Sequence, residues 1–346
     1  MAKVNHTTKD EKENMMSSDS DGMNTKFGKP IYDFDRIKER VTYHFCNPII
    51  DKIDFVDHCS FAKMPGVWLA SKKREEETSK STNLKNKTIA YNYKEHIVKN
   101  CLRQLLRKEY EHAFGKCCYS MTNYNNILRV TIPYGKKFLI ILNLQLKIMD
   151  EFNQLSQECY CKVIQTMEKL KELCNMKLQS FNNGEITSVE MLDDFFSKTP
   201  KHFPELRKLL RDVNFNKKIR YISIGTVNGI PLERLVITKE RLLLDDFDEF
   251  EYFVETASGI KMRGNFSSFF GGTKFNLVVY EKIAVMTIPV PDTDFFVLVT
   301  LDANNGDGKD FDDEKKRDSF YFPDSMKKLF DFIDDKLDAD SIIGDL

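Results

Sequence analysis

Two stretches decide the reading of this chain: ILRVTIPYGKKFLIILNL at 127–144 and IAVMTIPVPDTDFFVLVTL at 283–301. Each is a strand-like run ending in Thr-Ile-Pro, then a short break, then a second apolar run. Alternating side chains in ILRVTI and IAVMTI fit strands of a sheet with one covered face. Proline cannot donate to a sheet ladder, so Pro133 and Pro289 mark where strands stop. YGKK and VPDTD read as tight connections.

The likeness extends upstream. A shift of 156 lays 95–133 on 251–289 without a gap, with ten identities in 39 positions. Glu95 meets Glu251, Val98 meets Val254 and Arg107 meets Arg263. Phe114-Gly115 meets Phe270-Gly271, and Tyr124 meets Tyr280. Further upstream, Lys52-Ile53-Asp54-Phe55-Val56 lies on Lys218-Ile219-Arg220-Tyr221-Ile222 with a shift of 166. The difference places about ten extra residues in the first copy, within SKKREEETSKSTNLKNKT at 71–88. A surface loop tolerates such an insertion at little entropic cost. A repeat this long is a duplicated domain; solenoid units recur every ~20–50 residues.

The expected organisation is a polar, disordered tail over 1–29, a first domain over 31–180, a linker with a short helix over 181–199, and a second domain over 200–340. Each domain reads as helix, two strands, helix, three strands, helix. In the first, Phe34, Ile37, Val41, Phe45, Ile49, Ile50 and Ile53 form an amphipathic face. In the second, PELRKLLRDV serves, with Pro204 suited to a first helical turn. The middle helices fall near 93–113 and 247–265. The glycines of ASGIKMRG predict fraying there. Ile148, Phe152, Leu155, Cys159, Val163, Met167, Leu170 and Cys174 recur at helical steps and predict a helix over 147–178, spanning ~45 Å at ~1.5 Å per residue. That exceeds one small sheet, so the helix either crosses between the copies or pairs with a second chain. Thr187-Ser188-Val189-Glu190 is a capping box for a short helix.

This order of elements resembles the roadblock/LC7 fold, related to profilin and longin folds. Residues 216–303 are similar to an uncharacterised roadblock-like family of ammonia-oxidising archaea; the first copy joins only through the internal repeat. The resemblance implies an α/β protein of two tandem domains, each a five-stranded, mostly antiparallel sheet flanked by helices. It implies a protein-interaction platform, with a small Ras-like GTPase as the partner class and fusion replacing a homodimer. No catalytic residues carry over. Cys59-Ser60 stands where the second copy has Gly225-Thr226, so a shared ligand contact in that turn is not implied.

The rest of the sequence narrows the chemistry. A net charge of −1 over 346 residues gives no basic footprint for nucleic acid. No run suits a membrane span or a signal peptide, so the expectation is a cytoplasmic protein. The eight cysteines read as reduced thiols. No phosphate-loop motif, zinc spacing or cofactor fingerprint is present. Catalytic and cofactor-binding residues are expected to be none. DANNGDGKDFDDEK at 302–315 has a calcium-loop composition but the wrong residues at the sixth and twelfth positions. Asp302 and Asp307 are its only candidate metal ligands. Interface candidates are Phe152, Leu155, Val163, Met167 and Leu170 on the long helix, a possible homodimer face, and Phe266 and Phe269 after the second middle helix. Two other readings stay open: a small-molecule sensor with a ligand between sheet and helix, and an enzyme built on a pair such as His58 with Cys59 or Cys101 with His112.

Overall fold

The computed structural model describes residues 34–74, 89–135, 137–146, 148, 154–237, 243–302 and 324–336. The first half runs α1 (Phe34–Val41), a π-helical turn (Thr42–Cys46), α2 (Asn47–Lys52), β1 (Val56–Lys63), β2 (Val67–Lys73), α3 (Ile89–Glu109), α4 (Glu111–Phe114), β3 (Cys117–Tyr124), β4 (Leu128–Tyr134), β5 (Phe138–Leu144) and α5 (Gln154–Asn182). After α6 (Ser188–Phe196) the pattern returns as α7 (Pro204–Val213), β6 (Ile219–Thr226), β7 (Pro231–Val236), α8 (Asp246–Gly264), α9 (Ser267–Phe270), β8 (Thr273–Tyr280), β9 (Ile283–Pro289), β10 (Phe295–Asp302) and α10 (Asp324–Lys336).

All ten strands share one sheet, in the order β2-β1-β5-β4-β3-β8-β9-β10-β6-β7. Neighbours are antiparallel throughout. Read inward from either edge, the two halves have the same order. The expectation of two separate five-stranded sheets is therefore corrected to one continuous sheet. The physical reason is the edge. Alone, each half would end in an open strand, β3 or β8, with a row of unpaired N–H and C=O groups. Pairing β3 with β8 satisfies both rows.

The register of that pairing is informative. Met121 lies opposite Leu277, its own equivalent under the shift of 156, flanked by Ser120–Val278 and Thr122–Asn276. A pseudo-twofold axis thus passes through the Met121–Leu277 pair. The contacts around it come in symmetric couples. Asn126 N–H donates to the Phe270 carbonyl at 3.1 Å, and Lys282 N–H to the Phe114 carbonyl at 3.0 Å. Asn125 N–H donates to Gly272 O at 3.0 Å, and Glu281 N–H to Lys116 O at 3.1 Å. The Tyr124 ring sits 5.3 Å from Phe270, and Tyr280 sits 5.2 Å from Phe114. Each half's Phe-Gly turn clasps the β-turn of the other.

The helices are exchanged as well. On one face, β3–β5 and β8–β10 share a single apolar core with α2, α5, α7 and α10. Tyr160 of α5 lies 5.9 Å from Phe275 in the second half. Phe330 of α10 lies 6.0 Å from Tyr119 in the first. Tyr119 and Phe275 are equivalent positions. Of the two roles expected for the long helix, crossing between the copies is the one the contacts describe. It spans 154–182, against the expected 147–178.

Local sequence explains most ends. The Thr187 side chain accepts from Glu190 N–H at 3.3 Å, and Glu190 reaches back to Thr187 N–H at 2.9 Å, completing the capping box. Pro204 opens α7. The expected fraying of ASGIKMRG is corrected, since α8 stays helical to Gly264. Asp245 caps its N-terminus, acids fill its first turn, and Lys261 and Arg263 complement the dipole in its last. The polar run from 71 also needs correction at its start: β2 extends to Lys73, and Arg74 donates to the carbonyls of Ile50, Ile53 and Val56. Residues 1–33 and 75–88, which hold the expected tail and most of the insertion, lie outside the described residues.

Gly115 and Gly271 sit at φ +77° and +80°, ending α4 and α9 against the opposite half. A Cβ at Gly271 would meet Asn125 Cβ at 2.7 Å. Gly271→Ala combines left-handed strain with that clash and is expected to cost about 1–3 kcal/mol. A drop in the urea midpoint at unchanged slope checks it.

Candidate functional site

On the opposite face of the sheet, α3 and α8 cover separate apolar patches. Ile97 and Cys101 pack with Ala62, Leu139 and Ile141. Tyr252, Phe253, Ala257 and Ile260 pack with Tyr221, Val285 and Phe296. Between the patches, on the pseudo-axis, the sequence places polar side chains. Ser120 pairs with Thr131 across β3–β4, and its equivalent Asn276 pairs with Thr287 across β8–β9. Arg103, Arg107 and Arg263 descend onto them from the helices.

These three arginines line a cleft with Leu106, Tyr252, Glu255 and Gly259, with about 460 Å³ of empty space counted to its open mouth. Arg103 and Arg263 are only 8% and 4% exposed. Arg103 Nη2 donates to the Gly259 carbonyl at 3.0 Å. Arg107 Nη1 donates to Ser120 Oγ at 2.9 Å and to Gln104 Oε1 at 3.3 Å. Arg263 Nη1 donates to Asn276 Oδ1 at 3.3 Å, while the Thr122 hydroxyl donates to that same oxygen at 2.9 Å. The Arg107–Ser120 and Arg263–Asn276 bonds are symmetry equivalents. Burial, and then the like charges of Arg107 and Arg129, bring Arg103 down to about 10 although Tyr124 opposes them. Burial and the neighbouring arginines lower Arg263 as well. Glu255, also in the cleft, is raised to about 7 by burial and then by Glu109 and Glu251.

A second charged cluster ties the far edge of the sheet together. Lys177 Nζ, fully buried on α5, reaches Asp194 Oδ2 at 3.5 Å, Glu233 Oε2 at 3.9 Å and the His202 carbonyl at 3.4 Å. Arg207 bridges Glu233 and the carbonyls of Asp194 and Ser197. On the other side of β7, Arg234 pairs with Glu249 at 2.6 Å and Asp246 at 2.9 Å and stacks over Phe196. Its charges are paired with one another, and the pairs hold α6 and α7 against edge strand β7.

The residues singled out from sequence are dispersed. Val163 and Leu170 are buried in the shared core, and Met167 packs against it. Phe266 is buried beside α9. Leu155 and Phe269 lie in helices, with side chains outside the described set; Phe152 lies outside it altogether. Asp302 closes β10 and pairs with Arg220. Asp307 lies outside the described residues. Among the described residues, no group of three or more acidic, Cys or His side chains is placed to hold a metal ion. No described helix is long and apolar enough to cross a membrane. His58 and Cys59 are consecutive on β1 and so point to opposite faces. Burial pushes the Cys59 thiol up and, with Arg129 and Lys73, holds His58 down near 3, which suits neither a nucleophile nor its base. Burial also raises Cys101, to about 11. Cys159 is buried and Cys161 exposed, turned apart on α5.

No family model and no curated protein matches the chain. Among solved structures it is similar to a roadblock/LC7 domain from Streptomyces avermitilis, at 6% identity and a TM-score of 0.23, over 29% of this chain and 74% of that one. It is also similar to the extracellular domain of the putative histidine kinase vpHK1S-Z8, at 9% identity and a TM-score of 0.15, over 72% and 71% of the two chains. The first is a weak, partial match to the roadblock fold. The chain is an α/β protein with a large antiparallel sheet.

Glu255 supplies a pH test. Its folded pKa of about 7 lies above the ordinary 4.5, so the folded state holds the extra proton between those values. Stability from this group is present below pH 4.5 and lost as pH rises through 7. Melting temperatures of wild type and Glu255→Gln, compared from pH 5 to 8, are expected to diverge, with wild type falling relative to the variant.

Proposed function

We propose that this chain is a non-enzymatic protein-interaction platform made of two fused roadblock-like units, and that its partner docks on α3. One observation carries this reading. Val98, Leu102 and Leu105 are 40%, 46% and 36% exposed, at steps of four and three along one helix. Residues so spaced share a helix face, and an apolar stripe exposed among the described residues favours a partner that covers it. The equivalent positions on α8 are the half-buried Val254 and the exposed Ser258 and Lys261. The stripe thus belongs to one half only, which suits one partner per chain. A small Ras-like GTPase is the partner class we favour, on the roadblock resemblance. The long helix is a poorer homodimer face, since Val163, Leu170 and Leu173 are spent inside this chain. A small-molecule sensor is the second reading, and the arginine cleft favours it.

A photo-crosslinking residue at position 102, tested in the native host beside one at exposed Val189 on α6, checks the docking face. A discrete adduct is expected at 102 alone. Leu102→Glu with Leu105→Glu is expected to lower partner recovery by about tenfold or more while leaving the melting temperature intact. Absence of any adduct at 102 sinks the docking reading. An adduct that ignores the partner's bound nucleotide removes the GTPase and leaves the platform.

A further inference from the structure

We propose that the cleft on the pseudo-axis is a binding site for a small phosphate-like oxyanion, held by the guanidinium groups of Arg103, Arg107 and Arg263. The argument begins with charge. Three cationic side chains from both halves converge under α3 and α8, two of them almost fully buried. Among the described residues their hydrogen bonds go to neutral acceptors only: Gly259 O, Gln104 Oε1, Ser120 Oγ and Asn276 Oδ1. None of the three forms an ion pair with a carboxylate among the described residues. Glu255 shares the cleft but stands outside ion-pair distance of them. Buried charge without a counter-charge is costly, and structures normally pair it. The cluster at the β7 edge shows that norm in this same chain, with Arg207 and Arg234 each on a glutamate.

Hydrogen-bond capacity points the same way. The Nε atoms of Arg103 and Arg263 are buried and have no acceptor among the described residues. Both side chains line the cleft, so a guest there meets positive charge that no carboxylate among the described residues has paired. Guanidinium forks match the oxygens of phosphate two at a time. The neutral floor of Asn276 and Thr287 adds polar groups without adding a competing anion. The cleft is open at its mouth, so the guest is either free phosphate or the phosphoryl end of a small solute. The site stands on the internal repeat: Arg107 and Arg263 are equivalents, and Arg103 reaches over the axis to Gly259, which occupies its own equivalent position. It does not depend on docking at α3.

The test is titration calorimetry of the full chain with sodium phosphate and, separately, glycerol 3-phosphate, against sodium chloride at equal ionic strength. Saturable one-to-one binding of phosphate is expected. Arg107→Gln is the first variant, because Arg107 is only half-buried and its loss relieves repulsion. It is expected to bind about tenfold or more weakly while melting no lower than wild type without phosphate. Arg263→Gln is the second, and its melting curve separates lost binding from lost folding. Tighter binding of the ester than of free phosphate assigns the site to the phosphoryl end of a solute; the reverse assigns it to the free ion. No saturable heat above the chloride control, or equal affinity in wild type and Arg107→Gln, overturns the proposal.

Discussion

Strands β3 and β8 meet edge to edge with Met121 opposite Leu277, and almost every other feature of the chain follows from that pairing. It turns two five-stranded halves into one sheet. It brings the Phe114-Gly115 turn onto Glu281-Lys282, and Phe270-Gly271 onto Asn125-Asn126. It sets α3 beside α8, so arginines far apart in sequence reach one cleft. It also puts the sheet of each half within reach of the other's last helix. A ladder supplies the backbone bonds, but side-chain contacts fix the register, because a slip of one residue would turn every inward side chain outward.

The two faces of the sheet use the axis differently. Under α5 and α10 the apolar core runs through it without interruption. Under α3 and α8 it is broken by Ser120, Thr122, Asn276 and the arginines, which leave separate apolar patches on either side. A dry, continuous face suits permanent joining. A polar seam with charge in a narrow opening is a place where solvent and solute can exchange without opening the core.

Much of the fold was legible because the repeat carries position as well as likeness. The shift of 156 that aligns Tyr124 with Tyr280 is the same one that puts Met121 across from Leu277. Thr-Ile-Pro marked the end of β9 and fell one residue short of the end of β4, and Thr187 with Glu190 marked a helix start, since both signals are local. The joining of the sheets was not legible: an open edge announces that it needs a partner without saying which. The same holds for α5. Its period from Cys159 to Cys174 shows that a face is covered, and only the structure shows that the second half does the covering. The cleft was hidden for another reason. The match of Arg107 with Arg263 was visible, but it reads first as a marker of the repeat. Nothing in the linear order says that a symmetry axis will bring two such residues together.

The pairing of β3 with β8 has a consequence for synthesis. β3 is complete at Tyr124, yet its partner strand begins only at Thr273, about 150 residues later. At ~5–20 residues per second, that leaves roughly 7–30 s in which the first half has a finished edge and nothing of its own to lay against it. During that interval the ladder groups of Cys117–Tyr124 stand open to the same strand of a neighbouring nascent chain on a shared message. The fused arrangement therefore trades a search for a separate subunit for a timing problem on the ribosome, in which the second half must arrive before a stranger does.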